Sequence, residues 1–82
     1  MTRRQVVFAE PVSLSLSKYL DDRAGLRTVL DAIDALADDP RPPGSVSWGS
    51  AFSRLRVGRY RVLYAIDEDV ITIERVDRVL DR

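Results

Sequence analysis

The stretch FSRLRVGRYRVLYAI, residues 52–66, decides how this chain is read. Leu55 and Val57 alternate with Arg54 and Arg56. Past Gly58, the residues Tyr60, Val62, Tyr64 and Ile66 recur at every second position. A period of two is the signature of a strand with one buried face. Gly58 supplies the positive φ that a two-residue hairpin turn demands. With Gly58-Arg59 as the turn, Val57 faces Tyr60, Arg56 faces Arg61 and Leu55 faces Val62. Directly opposed residues share a face of the sheet. One face therefore carries Leu55, Val57, Tyr60, Val62 and Tyr64 and reads as core. The other carries Arg54, Arg56 and Arg61, with no acidic residue before Asp67.

Like charges directly opposite each other destabilise a hairpin, so Arg56 against Arg61 is a cost in the fold. An anion bound between them offsets it, and phosphate suits the planar guanidinium fork. The plainer alternative is a solvated face whose arginines are screened by salt or paired with carboxylates. Three arginines on one face without an interleaved acid favour anion binding.

Downstream, Asp67-Glu68-Asp69 separates the hairpin from a last strand over residues 70–76. With Glu68-Asp69 as the turn, Ile71 and Ile73 join the core face opposite Ile66 and Tyr64. Thr72, Glu74 and Val76 join the arginine face, with Val76 opposite Arg61 and Arg78 at the rim. Residues 79–82 are too few for another element. Upstream, residues 40–50 are rich in Pro, Gly and Ser and read as a loop. Trp48 is its one large apolar group, for packing on the sheet edge or for stacking on a nucleobase.

Leu26, Val29, Leu30, Ile33, Leu36 and Ala37 recur at three- and four-residue spacings, the firmest helical pattern in the chain. Asp21-Asp22 supplies the break and the N-cap before it, and Pro40 ends it by disfavouring helical geometry at Asp39. Asp38 and Asp39 sit at the unfavourable end of the helix dipole. Residues 12–20 fit both a strand and a helix period; Pro11, suited to a first helical position, favours a helix. Val6, Val7 and Phe8 predict a short strand over residues 5–9. The expected fold is α+β: an N-terminal strand, a two-helix hairpin, then a three-stranded antiparallel meander with the helices on one face of the sheet.

Eighty-two residues fit one domain, read over residues 1–82. The net charge of +0 combines 13 basic and 13 acidic residues. Six aspartates (Asp21, Asp22, Asp31, Asp34, Asp38 and Asp39) fall in the first half and the hairpin arginines in the second, which predicts opposed acidic and basic faces. Cysteine and histidine are both absent. Their absence removes disulfides, thiolate chemistry, the usual neutral-pH acid–base group and the commonest metal ligand. Nothing has the spacing of a carboxylate Mg²⁺ site, so no metal or small-molecule cofactor is expected. No apolar run approaches the ~20 residues that span a membrane, and the default expectation is a cytoplasmic protein.

DALADDPRPPGS followed, after a gap, by RLRVGRYRVLYAIDEDVITIERV resembles the RelE/ParE toxins of bacterial type II toxin–antitoxin modules. The resemblance spans nearly the whole chain, and LRVGRYRVLY with its acidic turn and β-rich run is its strongest part. RelE-like members are ribosome-dependent endoribonucleases that cut mRNA; ParE-like members share the fold and poison DNA gyrase. Both are silenced by a cognate antitoxin.

The resemblance puts Arg61 at the scissile phosphate. It puts Arg54 where a basic residue is often implicated in catalysis, Arg56 on the same face, and Arg78 near the basic position of a motif often written Gly-His-Arg. Nucleic-acid contacts are expected from Arg54, Arg56, Arg59, Arg61, Arg78 and Trp48. The chain departs from the pattern in three ways. Residues 76–79 read Val-Asp-Arg-Val, without histidine and with aspartate where glycine is common. Phe52 stands where some active enzymes have lysine. The tail that often carries a further helix or a catalytic tyrosine is expected to be missing.

Cleavage through the 2′-hydroxyl needs a base, stabilisation of the phosphorane charge and an acid for the leaving oxygen. Arg54, Arg56 and Arg61 fit the middle task; arginine, with a pKa above ~12, is a poor base. Glu74 is the carboxylate expected on the arginine face, diagonal to Arg61, as an acid–base group or simply as the partner of Arg61 or Arg56. Three functions fit these residues: a RelE-like mRNA endoribonuclease, a ParE-like gyrase inhibitor without nuclease activity, and a decayed toxin that retains only antitoxin binding.

Overall fold

The alternation in residues 52–66 becomes the centre of a five-stranded sheet. The structure is a computed structural model that describes residues 3–49 and 51–79. The elements run β1 (Gln5–Phe8), α1 (Glu10–Ser17), α2 (Arg23–Ala35), β2 (Ser45–Trp48), β3 (Phe52–Val57), β4 (Tyr60–Asp67) and β5 (Val70–Arg78). Strand order is β1-β5-β4-β3-β2, with β1 parallel to β5 and every other pair antiparallel. Both helices pack on one face, so the fold is α+β as expected. The expectation for residues 79–82 falls, beyond Val79, outside the described residues, as does the expected end of the loop at Ser50.

The β3–β4 register is the one Gly58-Arg59 implies: Val57 opposite Tyr60, Arg56 opposite Arg61 and Leu55 opposite Val62. Gly58 takes φ 58°, which L side chains adopt only with strain. Leu55, Tyr60, Val62, Tyr64, Ile71, Ile73 and Val76 are buried against Val12 of α1 and Val29, Ile33 and Leu36 of α2. The phenols in this core keep partners: Tyr60 Oη donates to Asp22 Oδ2 at 2.9 Å, and Tyr64 Oη donates to the Pro40 carbonyl at 2.7 Å. Asp22 also caps α2 by accepting from the Gly25 amide at 3.1 Å. A β-carbon at Gly25 would collide with that carboxylate.

Several boundaries differ from the sequence reading. The first helix spans Glu10–Ser17 rather than residues 12–20, with Pro11 in its first turn. The segment read as a loop contains β2, which pairs with β3 and makes the antiparallel part four strands rather than three. Its partner strand decides this: Pro, Gly and Ser argue against a strand locally, but the free edge of β3 supplies hydrogen bonds for Ser45–Trp48. The last strand runs to Arg78 and contains a bulge. Tyr64 pairs with Ile73 but Leu63 pairs with Arg75, so Glu74 is the extra residue without a cross-strand partner. The slip sends Val76 into the core opposite Val62, and it brings Asp77 opposite Arg61.

Two of the aspartates on and just after α2, Asp34 and Asp38, share Arg3. Arg3 Nε donates to Asp38 Oδ1 at 3.0 Å, and Arg3 Nη2 donates to the Asp34 carbonyl at 2.9 Å. A cation therefore sits at the C-terminal end of α2, where the dipole favours it, and offsets Asp38.

Two substitutions test this account. Val76→Asp should cost about 3 kcal/mol or more in urea unfolding, because it buries an uncompensated carboxylate; a regular ladder, with Val76 on the solvent face, would leave stability nearly unchanged. The Tyr60 hydroxyl, then the Gly25 amide, hold the Asp22 carboxyl below its ordinary value of 3.8. The stability this contributes is complete above that value and is lost as pH falls through the lower folded value. Asp22→Asn should lower the melting temperature at pH 7 and flatten its decline below about pH 4.

Candidate nucleic-acid interface

The face of the sheet away from the helices is built in rows by strand register. One row places Trp48 beside Phe52, then Ala65 and Thr72. The next runs Val46, Arg54, Leu63 and Arg75. A third holds Arg56, Arg61 and Asp77. Four arginines thus share this face with Asp77, on strands whose other side is locked into the core. The sequence period alone fixes Arg54, Arg56 and Arg61; the bulge adds Arg75 and Asp77.

Trp48, Arg54, Arg61, Leu63, Arg75 and Asp77 line an open concavity of about 280 Å³. Arg54 lies with its guanidinium carbon 4.5 Å from the centroid of the Trp48 ring. This cation–π contact holds the arginine fork in place. Arg75 Nε is 2.7 Å from Asp77 Oδ2. Arg61 is exposed and makes no hydrogen bond or ion pair among the described residues. Arg56, opposite it, turns its Nε to donate to the Gly58 carbonyl at 2.6 Å. The like-charged pair is thus accommodated by Arg56 folding toward the turn.

The remaining expected residues lie elsewhere. Arg59, in the turn, reaches to the helical side, with Nη2 3.6 Å from Asp22 Oδ2. Arg78 also belongs to that side, because the bulge reverses the direction in which it points. Its Nη1 is 3.1 Å from Asp21 Oδ1 and its guanidinium lies over Tyr19, 4.9 Å from the ring centroid. Hydrogen bonding to Asp21 raises the Arg78 pKa. Glu74 is taken up by the bulge; it lines no part of the concavity and makes no ion pair with Arg61. Trp48 is on an edge strand as one reading had it, but 51% exposed rather than packed away. The expected opposition of faces remains in the charge balance, with several helical-side aspartates paired to arginines. Arg3, Arg59 and Arg78 pair with aspartates on the helical side, and four arginines against Asp77 make the outer face positive.

The sequence reading missed Arg75, Leu63 and Asp77. The signal for them was the gap of three between Ile73 and Val76, where a strict alternation has two. Tyr60 and Tyr64 are buried on the core side, and burial raises the pKa of both phenols. Neither reaches the outer face as an acid or a base. Among the described residues, no cluster of acidic side chains could hold a metal ion.

A family model described as the ParE toxin of type II toxin–antitoxin systems, parDE, matches residues 14–81. No curated protein matches the chain. Among solved structures, the toxin–antitoxin complex RelBE2 from Mycobacterium tuberculosis is similar at 26% identity and a TM-score of 0.78, over 94% of this chain and 99% of that one. The archaeal RelE–RelB complex from Pyrococcus horikoshii gives 24% identity and a TM-score of 0.77, over 94% and 96%. A chromosomal ParDE system from P. aeruginosa gives 13% and 0.75, over 95% and 98%. The last two likenesses are of fold alone.

If the outer face is an anion receptor, inorganic phosphate should stabilise the fold by linkage, by about 1.4 kcal/mol at ten times its Kd. Arg61→Ala should change the intrinsic stability by less than about 0.5 kcal/mol, since the side chain is exposed, and should abolish the phosphate-dependent rise in melting temperature.

Proposed function

The chain belongs to the ParE toxin family of type II toxin–antitoxin systems, and on that premise we propose that it is a RelE-like toxin that cuts mRNA on the ribosome and is held silent by a cognate antitoxin. The observation that carries this reading is the unpaired Arg61 beside Arg54 and Arg75 in one open concavity. Guanidinium forks match phosphate oxygens bidentately, and arginines gathered along one concavity suit the dianionic phosphorane better than the singly charged diester. In the reaction the 2′-oxygen attacks the adjacent phosphorus, its proton passes to a base, and the 5′-oxygen leaves with a proton from an acid. Arg61 and Arg54 take the developing charge. Asp77 is the carboxylate lining the concavity, and it replaces Glu74 as the candidate for the 2′ proton. Alignment of the mRNA by the ribosome lightens the demand on these groups, because orientation alone can be worth ~7–11 kcal/mol.

One observation favours a second reading, a ParE-like inhibitor of DNA gyrase that binds without cutting. The Asp77 carboxylate is already engaged by Arg75, and the tyrosines of β4 face the core, so a purely cationic contact surface also fits. RelBE2 and the ParDE system are named as toxin–antitoxin assemblies, which supports an antitoxin partner here. An antitoxin that carries carboxylates over the arginines and apolar side chains beside them would complement this surface.

Inducing the gene while mapping mRNA 5′ ends separates these outcomes. The nuclease reading expects codon-positioned cuts that vanish in Arg61→Ala. Intact mRNA with an SOS response would replace it by the gyrase reading, and intact mRNA with normal growth by a decayed toxin that retains only antitoxin binding.

A further inference from the structure

The outer face has an apolar end that phosphate recognition leaves unused. Trp48 and Phe52 are cross-strand partners, and Val46 lies two residues before Trp48 on the same side of β2. Trp48 is 51% exposed, Val46 54% and Phe52 38%. Large apolar side chains in a contiguous exposed patch mark a contact surface rather than ordinary surface composition. This patch adjoins the concavity, where Trp48 and Arg54 are both lining residues. Arg54 already stacks on the indole, which fixes the plane of the ring and puts positive charge against it.

An indole that carries the Arg54 guanidinium and lines one concavity with the unpaired Arg61 recognises a flat π-system that carries an anion. An unpaired nucleobase with its own phosphate has both properties, and base–aromatic stacking is tolerant of base identity. A base in a duplex has neither face free. The charge complementarity argues against an apolar protein segment as the occupant, because Arg61 would then lose water without gaining a partner.

We propose that the Trp48–Arg54 stack is a base-stacking subsite for single-stranded RNA, seating the nucleobase next to the phosphate that Arg61 receives. The proposal rests on the nucleic-acid reading of the outer face, and it adds the strandedness of the ligand and the residue that senses it. The backbone follows the arginines across β3 and β4, and one base turns out toward β2 onto the indole. Trp48 therefore governs affinity for unpaired RNA, while Arg61 governs affinity for phosphate.

Trp48 is the sole tryptophan of the chain, so its emission reports this subsite alone. The full chain would be titrated with a dye-labelled single-stranded RNA hexamer, with the same sequence as a duplex, and with inorganic polyphosphate, reading Trp48 fluorescence and dye anisotropy together. The expected result is saturable quenching by the single strand, with binding but no quenching for polyphosphate, and weaker binding for the duplex. Trp48→Phe should keep single-strand affinity within about threefold, and Trp48→Ala should lose about tenfold or more, each with an unchanged circular dichroism spectrum. Polyphosphate affinity should change by no more than about threefold in either variant, the part that the Trp48 ring contributes by holding Arg54, and so by much less than single-strand affinity falls in Trp48→Ala.

Anisotropy showing single-strand binding that leaves Trp48 emission unchanged, or that survives Trp48→Ala undiminished, would overturn the stacking subsite and spare the cationic interface. Absence of binding to RNA and polyphosphate alike would remove the interface itself, and the subsite with it. Burial of Trp48 by an antitoxin peptide, with no response to RNA, would assign the patch to a protein partner and also overturn the proposal.

Discussion

Arg56 and Arg61 stand directly opposite each other in the central hairpin, a repulsion that the burial of the apolar face behind them imposes. The pairing is not optional. Moving β4 by one residue would relieve the charges but would turn Tyr60, Val62 and Tyr64 out of the core, since one step flips every side chain to the other face. Burial of those three and their β5 neighbours outweighs a charge repulsion screened by solvent. The cationic face is thus held in place by the apolar one.

The helical side follows the opposite rule. Arg3 joins Asp34 and Asp38, Arg59 approaches Asp22, and Arg78 joins Asp21. Asp22 serves three groups at once: the α2 cap, the Tyr60 hydroxyl and Arg59. Exposed pairs of this kind contribute little stability individually, but they consume charge. Four arginines and Asp77 stand on the outer rows, so in a chain with no net charge that face is positive and the rest of the molecule carries the balancing negative charge.

The same scaffold occurs in solved RelE and ParE assemblies at identities between 13% and 26%. A fold shared so widely at such identities cannot by itself select a target. On the outer rows of its sheet this chain carries four arginines, an exposed indole and one engaged carboxylate, Asp77, a set rich in anion-binding groups and sparse in proton transfer.

Local chemistry made much of this legible in the sequence. Period two with Gly58 determined the hairpin, its register and the face on which Arg54, Arg56 and Arg61 stand. The helical spacing from Leu26 to Ala37 and the Asp22 cap determined α2. These features depend on neighbours within a few residues, so the order of the residues is enough to specify them. Only the tertiary structure decided that Ser45–Trp48 is a strand, because the hydrogen bonds that make it one come from β3. The three-residue step from Ile73 to Val76 breaks the alternation in the sequence, but only the tertiary structure decided that Glu74 takes up the bulge. Val76 had to reach a core whose shape is set by Val62 and the helices, and that displacement turned Arg78 away from the outer face and brought Arg75 and Asp77 onto it.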